Sequence, residues 1–177
     1  MNKKKKILVV FGTRPEAIKL APLIKIIRNE KRFDIKVIST GQHKEMVKQV
    51  LDIFNIKVDI DLKMMKKNQT LFDITLSSIK ELKNIFQKIQ PDLLIVQGDT
   101  STAFTSSLSA FYYKIKIAHV EAGLRSFNKY HPFPEEINRK MISSLADFHF
   151  APTESARNNL VAEGVENEKI FLTGNTI

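Results

Sequence analysis

Residues 6–30 read KILVVFGTRPEAIKLAPLIKIIRNE. The first six form a continuous apolar run headed by lysines, the pattern of a strand buried in a parallel sheet. Gly12-Thr13-Arg14-Pro15-Glu16 break that run, and apolar residues then recur at helical period. Pro15 fits the first turn of a helix and Glu16 suits its positive end. The alternation of strand, polar turn and helix set here repeats along the chain.

Further strands are predicted at 34–40 (DIKVIST), 92–97 (DLLIVQ), 115–120, 148–151 and 170–173, and a short one at 58–62, where apolar and acidic residues alternate. Helices are predicted between them. One is amphipathic at 45–56, and a long one at 71–89 is ended by Pro91. A small-residue helix runs to Tyr113, one beginning at Pro134 reaches Ala146, and one starting at Thr153 reaches Glu163 and is closed by Gly164. Strands alternating with helices from end to end specify an α/β fold with a doubly wound parallel sheet. The strands end in polar signals: GTRPE, GQH, GDTST, EAGLR, PTES and GNT. Ligands of open α/β sheets bind at the carboxyl ends of the strands, so residues far apart in sequence are expected along one edge.

The 177 residues fit one domain, and 43% are apolar, enough for a sizeable core. Without cysteine, neither a disulfide framework nor a thiolate metal site is possible. No apolar run approaches the ~18–20 residues of a membrane span. The basic start lacks the apolar core and cleavage site of a secretory signal, so a soluble cytoplasmic protein is expected. The net charge of +9 is uneven, at +10 over residues 1–97 and −1 over 98–177. The excess is scattered lysine, which fits a solvated surface. A nucleic-acid patch would interleave arginine and aromatics on one face, and none is seen. The remaining implication is attraction for a small anion.

Candidate chemistry gathers on the predicted edge. Gly12-Thr13-Arg14 lies between a strand and a helix N-terminus. It reads either as an anion site, with free N–H groups and a planar donor fork, or as an ordinary turn with a surface arginine. Lys19, one helical turn further on, faces either the cleft or water. Asp99 follows a strand and is as often a helix cap as a catalyst. Glu121 leaves a buried strand partly desolvated, a setting that suits an acid or base. Residues 119–139, HVEAGLRSFNKYHPFPEEINR, are dense in ionisable groups: Glu121, Arg125, His131, Glu135, Glu136 and Arg139. Glu135 and Glu136 also suit a helix start. His149 reads as a core residue, and His43, His119 and His131 lie near strand ends or loops. There is no G-x-G-x-x-G, Walker A or nucleophile elbow, and no metal-ligand spacing.

In combination these motifs become specific. FGTRPEAIKLAPLI, GQH, GDTST, HVEAGLRS, PFPEEINR and FLTGNT, in that order, resemble the N-terminal half of the non-hydrolysing UDP-N-acetylglucosamine 2-epimerases over nearly the whole chain. The resemblance implies one Rossmann-like domain of a two-domain fold like that of the B-type glycosyltransferases, with the active site between the domains. It implies interconversion of UDP-N-acetylglucosamine and UDP-N-acetylmannosamine, by elimination of UDP to 2-acetamidoglucal and re-addition, with no nicotinamide or other cofactor and no metal. Such a reaction serves the biosynthesis of surface polysaccharides.

Matched residue by residue, Asp99, Glu121 and Glu135 take the acid/base positions, Arg14 and Lys19 are cleft cations, and Gln42 and His43 bind substrate. Gln42, His43 and Glu135 also fall near the regulatory substrate site of bacterial members. Many of those members carry Arg before Gln-Thr where this chain has Asn68. The family's chains run to about twice this length, and its members are commonly dimers. The resemblance therefore implies a UDP-sugar partner, a C-terminal nucleotide-binding domain absent from these 177 residues, and a homodimer. As a truncated piece the chain is expected to fold and to have negligible activity. The competing readings are half of a hydrolysing epimerase, half of a B-type glycosyltransferase, or a non-enzymatic remnant.

Overall fold

The structure is a computed structural model. It describes residues 3–41, 44–64 and 68–177, with the backbone alone at 44–46. Seven parallel strands form a single sheet: β1 (Lys5–Phe11), β2 (Phe33–Ser39), β3 (Ile60–Asp61), β4 (Leu93–Gln97), β5 (Lys116–Val120), β6 (Phe148–Ala151) and β7 (Ile170–Leu172). The helices between them are α1 (Arg14–Asn29), α2 (Lys44–Phe54), α3 (Leu71–Ile89), α4 (Ser101–Tyr112), α5 (Glu135–Leu145) and α6 (Glu154–Ala162). A 3₁₀ turn, Asn167–Lys169, precedes β7 and was not expected. The short strand predicted at 58–62 contracts to two paired residues, because only Ile38 and Ser39 of β2 reach it.

The strand order is β3-β2-β1-β4-β5-β6-β7. The chain winds outward from β1 in one direction and then, from β4, in the other. The reversal leaves a crevice at the carboxyl ends of β1 and β4, where ligands of such sheets bind. Alternation along β1 explains the double winding. Ile7, Val9 and Phe11 face one way, into a core with Ala17, Leu20 and Ile24 of α1 and Val47 and Val50 of α2. Leu8 and Val10 face the other way, against Leu82 and Phe86 of α3, Ala103 and Ala110 of α4 and Ile142 of α5. A strand buried on both faces has to be apolar throughout, which is why residues 6–11 read as one run. Among the described residues, no helix is long and apolar enough to cross a membrane.

Candidate active site

The turn after β1 differs from its reading as a free anion site. Glu16 folds back from the first turn of α1 and is buried. Its Oε2 accepts the backbone N–H groups of Gly12 (2.9 Å) and Thr13 (2.7 Å) and the Thr13 hydroxyl (2.8 Å). Its Oε1 accepts the hydroxyl of Thr100 (2.7 Å), the N-cap of α4. Burial pushes the Glu16 carboxyl above its ordinary range, against these four hydrogen bonds. The amides assigned to an external anion are thus satisfied internally. Arg14 remains exposed beside them, with no ion pair or hydrogen bond to another described residue.

Glu121 stands at the end of β5 with φ of 64°, a left-handed backbone that costs a non-glycine residue roughly 1–2 kcal/mol. Lys19 bonds its Oε1 and Gln97, the last residue of β4, donates to its Oε2. The Lys19 and Glu121 side chains keep only 22% and 16% exposure, so the pair lies largely inside the crevice. Lys19 therefore faces the cleft. The Glu121 carboxylate lies over Gly98, whose absent Cβ would stand 3.8 Å from Oε2. His119, fully buried on β5, donates from Nε2 to the Gly98 carbonyl (2.7 Å), while the Gly98 N–H donates to Val120 O (3.0 Å). The β4 turn is clamped to β5 from both sides.

Next in that turn is Asp99. Its Oδ2 accepts Arg139 Nε (3.1 Å) and Nη2, and its carbonyl accepts Asn138 Nδ2 (2.9 Å). Asn138 and Arg139 stand on α5 three and four residues after Glu135, hence on the same helix face. One carboxylate oxygen of Glu135, Oε2, is buried with no hydrogen-bond partner among the described residues. Glu136 points elsewhere. It accepts the N–H groups of Ser126 (3.0 Å) and Phe127 (3.1 Å) and pairs with Arg139 at 3.2 Å. Burial alone would raise its carboxyl, but these donors hold it below its ordinary range.

Two members of the charge-dense stretch leave the site. Arg125, with no exposed side-chain surface, forks onto Glu163 at 2.8 and 2.5 Å and bonds Ser143 at 3.0 Å. It ties the loop after β5 to the end of α6. His131 is exposed, and its Nδ1 bonds Tyr130 O and no other described residue. Gln42 and His43 lie outside the described residues. Asn68 lines a cavity of about 540 Å³ between the segment after β3 and α3, together with Gln69, Asp73 and Lys80.

Sequence reasoning missed Glu16 as an internal anion, Gln97 and Asn138, and gave no sign that Arg139 grips Asp99. The capping spacing Thr13-x-x-Glu16 was the one available signal. The described residues hold no cluster of three or more His, Cys, Asp or Glu able to bind a metal.

A Rossmann-like sheet with a crevice at its strand reversal, where Glu121 pairs with Lys19 and Asp99 with Arg139, has the fold of domains found in two-domain, B-type glycosyltransferase-like proteins. The likeness of fold extends to a lipopolysaccharide outer core galactosyltransferase, 14% identical, with a TM-score of 0.61 over 94% of this chain and 44% of that one. The chain belongs to the UDP-N-acetylglucosamine 2-epimerase family, whose model matches residues 25–177. It is 54% identical over 173 residues to the UDP-N-acetylglucosamine 2-epimerase of Campylobacter jejuni, covering 98% of this chain and 45% of that protein. The crystal structure of the Neisseria meningitidis UDP-GlcNAc 2-epimerase bound to UDP-GlcNAc is 50% identical, with a TM-score of 0.93 over 97% of this chain and 47% of that one. The chain thus spans about half the length of the curated relatives it matches.

Proposed function

We propose that this chain forms the acid/base wall of an enzyme that interconverts UDP-N-acetylglucosamine and UDP-N-acetylmannosamine in the cytoplasm. The facing wall, which holds most of the nucleotide, is the second half of the family's two-domain fold. The observation that carries the reading is the Glu121 carboxylate, held by Lys19 and Gln97 over Gly98 and next to Asp99.

C2–H of the sugar has no adjacent carbonyl, so its removal as a proton needs loss of the C1 substituent, in the same step or before it. Glu121 takes that proton, the C2–H electron pair becomes the C1=C2 bond, and the C1–O pair leaves with UDP. Lys19 neutralises Glu121 before the reaction. Arg14, which has no ion pair with another described residue, stabilises the departing diphosphate. Return of UDP to C1 and of a proton to the other face of C2 inverts that centre. Asp99, gripped by Arg139 of α5, and Glu135 at the start of that helix are the groups assigned to supply the returning proton.

The test joins residues 1–177 to the C-terminal half of the Bacillus subtilis relative and analyses the products from UDP-N-acetylglucosamine. The reading expects UDP-N-acetylmannosamine with the nucleotide retained. Free N-acetylmannosamine would point to a hydrolysing enzyme, and transfer of the sugar to an added acceptor would point to a glycosyltransferase.

A further inference from the structure

We propose that Glu16 is a built-in anion that occupies the phosphate position of the β1–α1 turn and thereby makes the turn a positioning element, closed to any ligand phosphate. The geometry is particular. One carboxylate sits between the N-termini of two helices, α1 of 16 residues and α4 of 12. Each helix N-terminus carries unsatisfied N–H groups and a positive partial charge. In many doubly wound folds a ligand phosphate answers that charge at the first turn. Here the chain answers it itself.

Gly12 N–H, Thr13 N–H and Thr13 hydroxyl all converge on Oε2, and Thr100 hydroxyl reaches Oε1. Every one of these partners donates, so the group they surround is an acceptor only. Glu16 is 2% exposed, so no phosphate reaches the same amides without displacing it.

Two consequences follow. A phosphate approaching this edge meets the Arg14 side chain and not the turn backbone. Glu16 also fixes Thr100, the residue after Asp99, and so sets where the Asp99 turn stands relative to Glu121. This second consequence rests on the acid/base reading above. The first stands without it.

The experiment uses the 177-residue chain. Inorganic phosphate and UDP are titrated into wild type while the amide resonances of Gly12 and Thr13 are followed. Neither is expected to shift beyond a sodium chloride control of equal ionic strength. In Glu16→Ala the unfolding midpoint is expected to fall by about 5–10 °C. Sodium formate at about 100 mM is expected to restore several degrees of that loss by filling the vacated cradle, with no such gain in wild type. In Glu16→Gln, which keeps the shape and can leave its carbonyl oxygen on the Gly12 and Thr13 N–H groups but then turns its NH2 toward the Thr100 hydroxyl, the Thr100 and Asp99 amides are expected to move.

Saturable shifts of the wild-type Gly12 and Thr13 amides with phosphate would overturn the proposal, as would a Glu16→Ala variant indifferent to formate. Should Glu16→Ala fail to fold, the wild-type titration and Glu16→Gln decide. None of these readouts measures turnover, so failure of the epimerase reading leaves them intact.

Discussion

Gly123→Ala is expected to cost about 4 kcal/mol or more of folding stability, at the upper end of single substitutions. Gly123 has φ of 88°, and a Cβ there would stand 2.1 Å from the carbonyl oxygen of Ala156 and 2.8 Å from its carbonyl carbon. Both atoms belong to the backbone of α6, so no side-chain rotation relieves the overlap. The helix would have to lift away from the loop after β5. That movement opens the small cluster of Ala122, Ala151, Ala156, Leu160 and Ile170, and it breaks the bond from Asn159 Nδ2 to Gly123 O (3.0 Å). Gly164 supplies the control. It has the same φ of 88° but no atom within 4 Å of its would-be Cβ. Gly164→Ala therefore carries only the backbone strain, roughly 1–2 kcal/mol. Urea unfolding of both variants separates the two contributions. Equal losses would show that the contact with α6 is not what requires glycine at 123.

Protonation of two buried histidines is expected to remove about 4 kcal/mol of stability between pH 7.5 and pH 5, less what Glu16 returns. His119 and His149 are cross-strand neighbours on β5 and β6, both buried. Burial brings the His119 imidazole down to about 3 and the His149 imidazole to about 4. For His119 the hydrogen bond to Gly98 works against burial, while His149, Arg125 and Arg139 add to it.

A histidine with a depressed folded pKa is neutral in the fold and takes up a proton in the unfolded chain below ~6.5. Its contribution is complete above that value and is lost as pH falls. At pH 5 each imidazole then accounts for about 2 kcal/mol. Glu16, whose carboxyl is raised by burial, works in the opposite sense and recovers stability as it protonates. Glu136 and Glu163, both held low, lose their contributions only below the ordinary carboxylate range. Urea unfolding at the two pH values measures the loss, and a His149→Asn variant should show about half of it. A stability that does not change over this window would contradict the account of the two imidazoles.

The strands were legible because their burial is written in composition. Residues 7–11 and 93–96 are apolar on both faces, and a strand needs that only inside a two-faced sheet. The turns were legible as turns, and the parallel sheet then brought Gly12, Asp99 and Glu121 to one edge. What stayed hidden depends on which side chains meet across that edge. Lys19 and Glu121 are 102 residues apart, and Arg139 and Asp99 are 40 apart. No periodicity reports such pairs. Arg125 shows the reverse error. A cation four residues after a candidate base looks like site chemistry, yet its fork is spent on Glu163 behind the loop. Within EAGLR only Glu121 faces the crevice chemistry. Ala122 is buried, Gly123 admits α6 and Arg125 anchors its far end.

The central claim is that Glu121 moves the C2 proton. The direct measurement is incorporation of solvent deuterium at C2, followed by NMR or mass spectrometry in the protein joining residues 1–177 to a relative's C-terminal half. With Glu121 intact, every turnover should leave one deuterium at C2 of the product. With Glu121→Gln, which keeps the size of the side chain but gives up one of the two oxygens that accept from Lys19 and Gln97 and cannot take up the proton, incorporation should fall at least ~10²–10³-fold, the scale of a lost acid/base group, in a variant that urea unfolding shows to be folded. Deuterium entering C2 at near wild-type rate in Glu121→Gln would contradict the account.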